Sequence, residues 1–248
     1  MKVVVIGGTG LIGSKLVSGL GEHGHETVVA APSTGVDTLT GKGLAEALEG
    51  ASVVVDVSNS PSFEDQAVMD FFRVSTANIL EAEAEAGVGH HVALSVVGTD
   101  RLQGSGYFRA KQAQEELIKA SGLPYTIVHA TQFFEFAKGL ADGVAEGDTV
   151  RLPAGRIQPM VSDDVAAGVG RAAVGAPANG VVEIGGPEVF ELEEFIRMGL
   201  SAQGDSRRIV TDPQATYWGA ELQEDTLLPG PDARLGEVGF ADWLARQQ

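Results

Sequence analysis

The stretch Gly7-Gly8-Thr9-Gly10-Leu11-Ile12-Gly13 constrains this chain more than any other. It follows Lys2-Val3-Val4-Val5-Ile6, a short apolar run with the character of a buried strand, and opens into a segment with helical spacing. Glycines at Gly7, Gly10 and Gly13 suit a tight strand-to-helix turn whose backbone approaches a diphosphate and whose helix packs closely on the sheet. The first amides of such a helix can hold an anion. An ordinary strand-to-helix turn reads the same way in isolation, and its place after the first strand favours a dinucleotide site.

A chain of 248 residues, 44% hydrophobic and 21% charged, can bury one large α/β domain with a smaller lobe. A formal net charge of -17 speaks against nucleic acid as a partner, since phosphate backbones are held by clustered lysine and arginine. There is no cysteine, so disulfides, thiol nucleophiles and cysteine metal sites are excluded. Val3 to Ile6 is too short for a signal-peptide core and no later run matches a membrane span, so the sequence reads as a cytoplasmic protein with no membrane partner.

Apolar residues Leu11, Ile12, Leu16, Val17 and Leu20 share one face of the first helix, which Gly21 and Gly24 help to end. Glu26 to Ala31 reads as the second strand. At its end an acidic residue usually holds ribose hydroxyls, whereas an arginine favours a 2'-phosphate. Ala31-Pro32-Ser33-Thr34 supplies neither. Hydroxyls on Ser33 and Thr34 can bond a phosphate with no carboxylate to repel it, which leans towards NADP with NAD as the other choice; equally, both are turn residues. Asp37 can face the adenine or organise the turn.

Ala51 to Val57 forms a third strand that ends in Ser58-Asn59-Ser60-Pro61-Ser62, where a parallel sheet meets its ligand. A long helix spans about 63 to 86, with Val68, Phe71, Phe72, Ile79 and Leu80 inward. His91 to Val97 is the next strand. His90 and His91 point to opposite faces and have no ligand partners at metal spacing, so no metal is expected.

Tyr107-Phe108-Arg109-Ala110-Lys111 begins a helix on which Tyr107 and Lys111, four apart, share a face. The ammonium is expected to lower the phenol pKa from its usual value near 10 and so make an acid-base pair. Such a pair is common on amphipathic helices; its position after the glycine turn, with the hydroxyl of Ser95 twelve residues earlier, gives it chemical weight.

These stretches, together with His91-Val92-Ala93-Leu94-Ser95-Val96-Val97-Gly98 and Pro124-Tyr125-Thr126-Ile127-Val128-His129-Ala130-Thr131-Gln132-Phe133, resemble the atypical, NmrA-like branch of the short-chain dehydrogenase/reductase superfamily across almost the whole chain. The resemblance implies a Rossmann-type doubly wound parallel sheet over 1–148 and a small substrate lobe over 149–248 with some elements returning to the sheet. It implies Tyr107 as general acid/base, Lys111 holding the nicotinamide ribose, and Ser95 as the polarising hydroxyl. In many relatives that hydroxyl lies one or two positions later, where Val96 and Val97 stand here, with Thr99 as fallback. Gly7, Thr9, Gly10, Leu11, Ile12, Gly13, Ser33, Asp37, Ser58, Lys111 and Gln132 form the implied cofactor set. His129 replaces an arginine common in relatives, and residues 130–134 would line the nicotinamide end, although phenylalanines there also suit core.

Beyond Gly147 the elements shorten. Ser162 reads as an N-cap with Asp163 and Asp164 in the first turn. Gln158, Met160, Tyr217 and Trp218 are candidate pocket walls by the same resemblance, while the adjacent Tyr217 and Trp218 equally suit packing or a subunit contact in a homo-oligomer. The expected function is hydride transfer between NADP(H) and a small carbonyl or alcohol substrate. The family also contains members that bind the cofactor without catalysis, so an NAD(P)-sensing regulatory module is the alternative; sugar-nucleotide epimerisation finds few basic residues for a diphosphate in the carboxy-terminal part.

Overall fold

A computed structural model describes residues 1–247. In chain order the elements are β1 (Lys2–Ile6), α1 (Leu11–Glu22), β2 (Glu26–Ala30), α2 (Leu44–Leu48), β3 (Val53–Asp56), α3 (Asp65–Ala86), β4 (His90–Val96), α4 (Gly106–Ala120) and β5 (Tyr125–Ala130). They continue with α5 (Ala137–Gly143), β6 (Ala145–Glu146), β7 (Thr149–Leu152), β8 (Arg156–Ile157), α6 (Ser162–Val174) and β9 (Gly180–Gly185). The last are β10 (Phe190–Glu191), α7 (Leu192–Ala202), β11 (Arg208–Thr211), β12 (Arg234–Leu235) and α8 (Phe240–Ala245).

Among the described residues seven strands form the main sheet, in the order β12-β9-β5-β4-β3-β1-β2. The pairs β1–β2, β1–β3, β3–β4 and β9–β12 are parallel. Val3, Val4, Val5 and Ile6 are all buried, as a parallel strand covered on both faces requires. The chain leaves β1 to one side for β2 and returns to the other side for β3. That reversal is the topological switch point of an open α/β sheet, where ligands lie beyond the carboxyl ends of the strands.

The chain divides into two compact units, each discontinuous: 1–95 with 106–129 and 165–182, and 96–105 with 130–164 and 183–248. The sequence predicts a division after residue 148 with some later elements returning to the main sheet; in the structure β4, β5, α6 and β9 each run through a boundary of these units.

In the first unit, Val4, Ile6, Val54, Leu44, Leu48 and Ile79 make the core on one side of the sheet. Ala93, Ile118, Ile127 and Leu80 form another cluster, and Val68, Phe72 and Ala110 join α3 to α4. The first helix buries Ile12, Leu16 and Leu20, but Leu11, read as inward, is 40% exposed because it opens the helix at the tip of the glycine turn.

The second unit carries a three-stranded sheet, β11-β7-β6, and a two-stranded one, β10-β8. Its core is aromatic: the Phe240 ring lies 4.8 Å from Phe195 and 4.9 Å from Phe134. Ser162 gives both its amide and its hydroxyl to Glu135. Asp164 accepts the amides of Glu237 (3.0 Å) and Val238 (3.3 Å), so this carboxylate tethers the tail as well as sitting at a helix start.

Candidate functional site

The glycine turn is built by exclusion. A Cβ on Gly13 would stand 2.2 Å from the Gly7 carbonyl oxygen, and one on Gly7 would stand 2.9 Å from Cα of Ser58. Gly7 also holds φ +77, which side chains rarely adopt. The turn closes through Gly10 N–H to Gly7 O at 2.9 Å, while Gly7 N–H reaches Ala30 O at 2.9 Å. Thr9, Gly10 and Leu11 are exposed at the tip, and Gly10 caps α1 with no side-chain hydrogen bond. The first amides of the helix therefore face an open, backbone-lined cradle suited to an anion. Ser58, half-buried, follows β3 directly opposite Gly7 at the switch point.

At the end of β2 the structure separates the candidates. Thr34 spends its hydroxyl on the backbone, donating towards Val29 O (2.9 Å) and accepting from Ala31 N (3.0 Å), so it shapes the turn. Asp37 accepts the Leu39 amide at 2.9 Å, and that bond, with the Thr40 hydroxyl, holds its carboxyl below the usual range. Ser33 is exposed.

Gly106 lets α4 begin against α3, for a Cβ there would meet a carboxylate oxygen of Asp65. One residue on, the half-buried Tyr107 ring lies among Phe63, Phe72 and Phe108, with centroids 5.7, 6.2 and 5.5 Å away. This aromatic setting desolvates the phenolate, and burial pushes the Tyr107 pKa up to about 12. The expected lowering by Lys111 is thus overturned. The reason lies in where the ammonium goes: Lys111, 2% exposed, donates to Leu94 O at 2.9 Å and to Gln114 Oε1, and sits 4.5 Å from the Phe72 centroid. Burial pulls Lys111 down to about 8, against the opposing charges of Asp56 and Glu115.

Asp56, at the end of β3, lies outside the site residues that the sequence predicts. Its carboxylate is buried and accepts the Ser58 amide at 2.9 Å, the Ser58 hydroxyl at 2.6 Å and the Gln114 amide nitrogen at 3.0 Å. A lone acid closing the apolar run Val53-Val54-Val55 was the available signal, since a buried carboxylate needs dedicated partners.

Ser95 is buried and donates to Glu115 Oε1 at 2.6 Å, the same oxygen that His129 Nε2 meets at 2.8 Å. Lys119 donates to the other oxygen at 3.1 Å. Burial opposes the charge on Glu115, but the His129 ring, Ser95 and Lys119 outweigh it and hold the carboxyl down at about 2. His90 and His91 take separate partners, Thr126 Oγ1 at 2.9 Å and Glu83 Oε1 at 2.7 Å. Among the described residues no cluster of acidic or histidine side chains could hold a metal ion.

In the second unit Gln132 is buried, and neither polar atom of its amide has a hydrogen-bond partner; the Thr131 hydroxyl is likewise unpaired. Such groups fit a ligand that brings donors and acceptors. Phe134 turns into the aromatic core at 1% exposure. Gln158 donates to Gly186 O at 2.7 Å and Met160 pairs by its backbone with Gln132 and Phe134, so both are framework. Thr99 donates to Val96 O at 2.7 Å. Tyr217 and Trp218 line a pocket of about 190 Å³ within the second unit, with Leu140, Leu152, Pro153 and Leu192.

The switch point and its glycine cradle define a dinucleotide-binding α/β protein of Rossmann type. The chain belongs to the NAD(P)H-binding family, whose model matches residues 7–169. That membership is consistent with the atypical short-chain dehydrogenase/reductase resemblance. It is 26% identical over 208 residues to (4-alkanoyl-5-oxo-2,5-dihydrofuran-3-yl)methyl phosphate reductase of Streptomyces griseus, covering 77% of this chain and 70% of that protein. It is 24% identical over 149 residues to the photosystem II assembly factor Ycf39 of Cyanophora paradoxa, covering 54% of this chain and 46% of that one. Among solved structures, MoeE5 in complex with UDP-glucose and NAD superposes with a TM-score of 0.73 at 19% identity, covering 100% of this chain and 99% of that one. The dTDP-glucose 4,6-dehydratase DesIV of Streptomyces venezuelae, with NAD and TYD bound, gives 0.73 at 20% identity, covering 99% and 95%. Among the described residues no helix is long and apolar enough to cross a membrane.

Proposed function

We propose that this protein is an NADP(H)-dependent reductase of a small carbonyl compound. The observation that carries the reading is the buried Lys111 ammonium, one helical turn after Tyr107 and in the unit that also holds the Gly7 cradle. Gly7 to Gly13 would hold the diphosphate, with Ser58 beside it and Lys111 on the nicotinamide ribose. Within the second unit, the Gln132 amide and the Thr131 hydroxyl, whose side-chain polar atoms lack protein partners, are by themselves suited to hydrogen-bond a ligand. The cofactor, when bound, supplies the hydride. Tyr107 gives its proton to the carbonyl oxygen as the alcohol forms. A phenol is neutral at physiological pH and so enters the reducing direction as the acid. The preference for NADP(H) rests on the exposed Ser33 and on the absence of a carboxylate in Ala31-Pro32-Ser33-Thr34.

The test is turnover of NADPH or NADH against a panel of carbonyl compounds, followed by nicotinamide absorbance. Tyr107→Phe should abolish turnover and leave dinucleotide binding largely intact; wild-type turnover in that variant sinks the mechanism. A second reading is a non-catalytic NAD(P) sensor. It is favoured by the Ser95 hydroxyl, which is given to Glu115, and predicts binding without turnover on every substrate.

A further inference from the structure

A hydrogen-bonded chain runs through the first unit from the glycine turn to the helix α4. Ser58, whose backbone lies against Gly7, gives its amide and hydroxyl to Asp56 Oδ1. Asp56 Oδ2 accepts the Gln114 amide nitrogen, and Gln114 Oε1 accepts from Lys111. Leu94 O and Gln114 together take two of the three ammonium N–H donors, and the ammonium also lies over the Phe72 ring. Each link has its donor and acceptor fixed by the next, so the order Ser58, Asp56, Gln114, Lys111 has one polarity.

We propose that Asp56 and Gln114 are positioning residues: their relay fixes the Lys111 ammonium in place and couples that placement to the strand end that backs the glycine turn. The assignment to a cofactor-holding lysine rests on the function proposed above, whereas the relay itself is a property of the protein alone. Asp56 is the counter-charge at the far end of an amide bridge, in a site where both it and Lys111 are buried from solvent. Other ionisable groups facing this network are Glu115 on α4, which also acts on Lys111, and the buried Glu83 and His91 on α3 and β4, which interact with Asp56.

The polarity gives a test that a merely structural role would fail. Asp56→Asn turns the acceptor facing Gln114 into a donor, so the bridge cannot satisfy both neighbours. Adding Gln114→Glu inverts the bridge: Asn at 56 donates to Glu at 114, which accepts from Lys111. Hydrogen-bond number and net charge are then those of the wild type. The measurements are side-chain NMR titration of lysines in the protein without cofactor, assigned with Lys111→Met, and NADPH and NADH binding by fluorescence. In Asp56→Asn the Lys111 midpoint should fall by about one pH unit and dinucleotide affinity by about tenfold. The double variant, whose carboxylate then touches the ammonium itself, should bring the Lys111 midpoint back to the wild-type value or above it and restore dinucleotide affinity to within about twofold. An unmoved midpoint in Asp56→Asn, or a folded double variant as impaired as the single one, overturns the proposal. Should the wild type bind no dinucleotide, the proposed function fails while the lysine titration still decides the relay. Should Asp56→Asn fail to fold, recovery of fold and midpoint in the double variant supports the relay, and loss of both overturns it.

Discussion

The Cβ that Gly13 lacks would stand 2.2 Å from the carbonyl oxygen of Gly7, so the first turn of α1 and the end of β1 occupy space that only a bare backbone leaves open. Gly13→Ala must push the helix off the sheet. Overpacking of this kind costs about 3 kcal/mol, and the displaced cradle should lose dinucleotide binding. Urea denaturation and fluorescence titration check both; a loss of stability under about 0.5 kcal/mol would contradict the packing described.

Ser33 is exposed just after β2, and the function proposed above assigns it the place of a ribose-binding acid or a phosphate-binding arginine. Ser33→Asp introduces a charge that repels a 2'-phosphate. NADPH affinity should drop by about tenfold or more, with NADH unchanged or improved. Equal losses for both dinucleotides would remove Ser33 from the discriminating position.

Glu115 ties Ser95, His129 and Lys119 together in one buried cluster. Its carboxyl is held at about 2, below the ordinary value of 4.5, so its contribution is fully present above about pH 4.5 and disappears as the pH falls through 2. The linked stability is about 3 kcal/mol. Glu115→Gln should lower stability at pH 7 and flatten the acid limb of a urea-midpoint profile between pH 5 and 2. A variant whose acid limb keeps the wild-type slope would show that other groups govern it.

At alkaline pH the signs oppose each other. Lys111, at about 8 in the folded chain and 10.5 otherwise, binds fewer protons folded than unfolded between those values, so its contribution raises stability with pH there. Tyr107, at about 12 against 10.0, keeps its proton longer when folded, and its contribution is lost as the pH rises from 10 through 12. The stability profile should therefore climb from pH 8 and turn over above 10. Lys111→Met should remove the climb, and Tyr107→Phe should remove the fall that follows; unchanged slopes in both would refute these assignments.

The strand-turn-helix opening was legible because its glycines, its apolar run and its helical spacing are local, and β1 and α1 form where those signals fall. Tyr107 and Lys111 were legible as neighbours on one helix face for the same reason. Their electrostatics were not. The sequence carries no sign that Phe63 and Phe72, from 44 and 35 positions earlier, surround the phenol, or that Gln114 and Leu94 claim the ammonium. Ser95 was singled out by its distance from Tyr107 along the chain, yet its hydroxyl partner, Glu115, is set by how α4 lies on β4.

What the sequence alone determined is the periodicity: an α/β chain, a glycine turn after the first strand, and a tyrosine and lysine sharing one face. What tertiary structure decided is every proton and every charge near them. Asp56 reaches Gln114 only because β3 and α4 meet across 58 positions of chain. Burial, which depends on all the packed elements at once, moves Tyr107 up and Lys111 down, against the simple expectation for two adjacent groups.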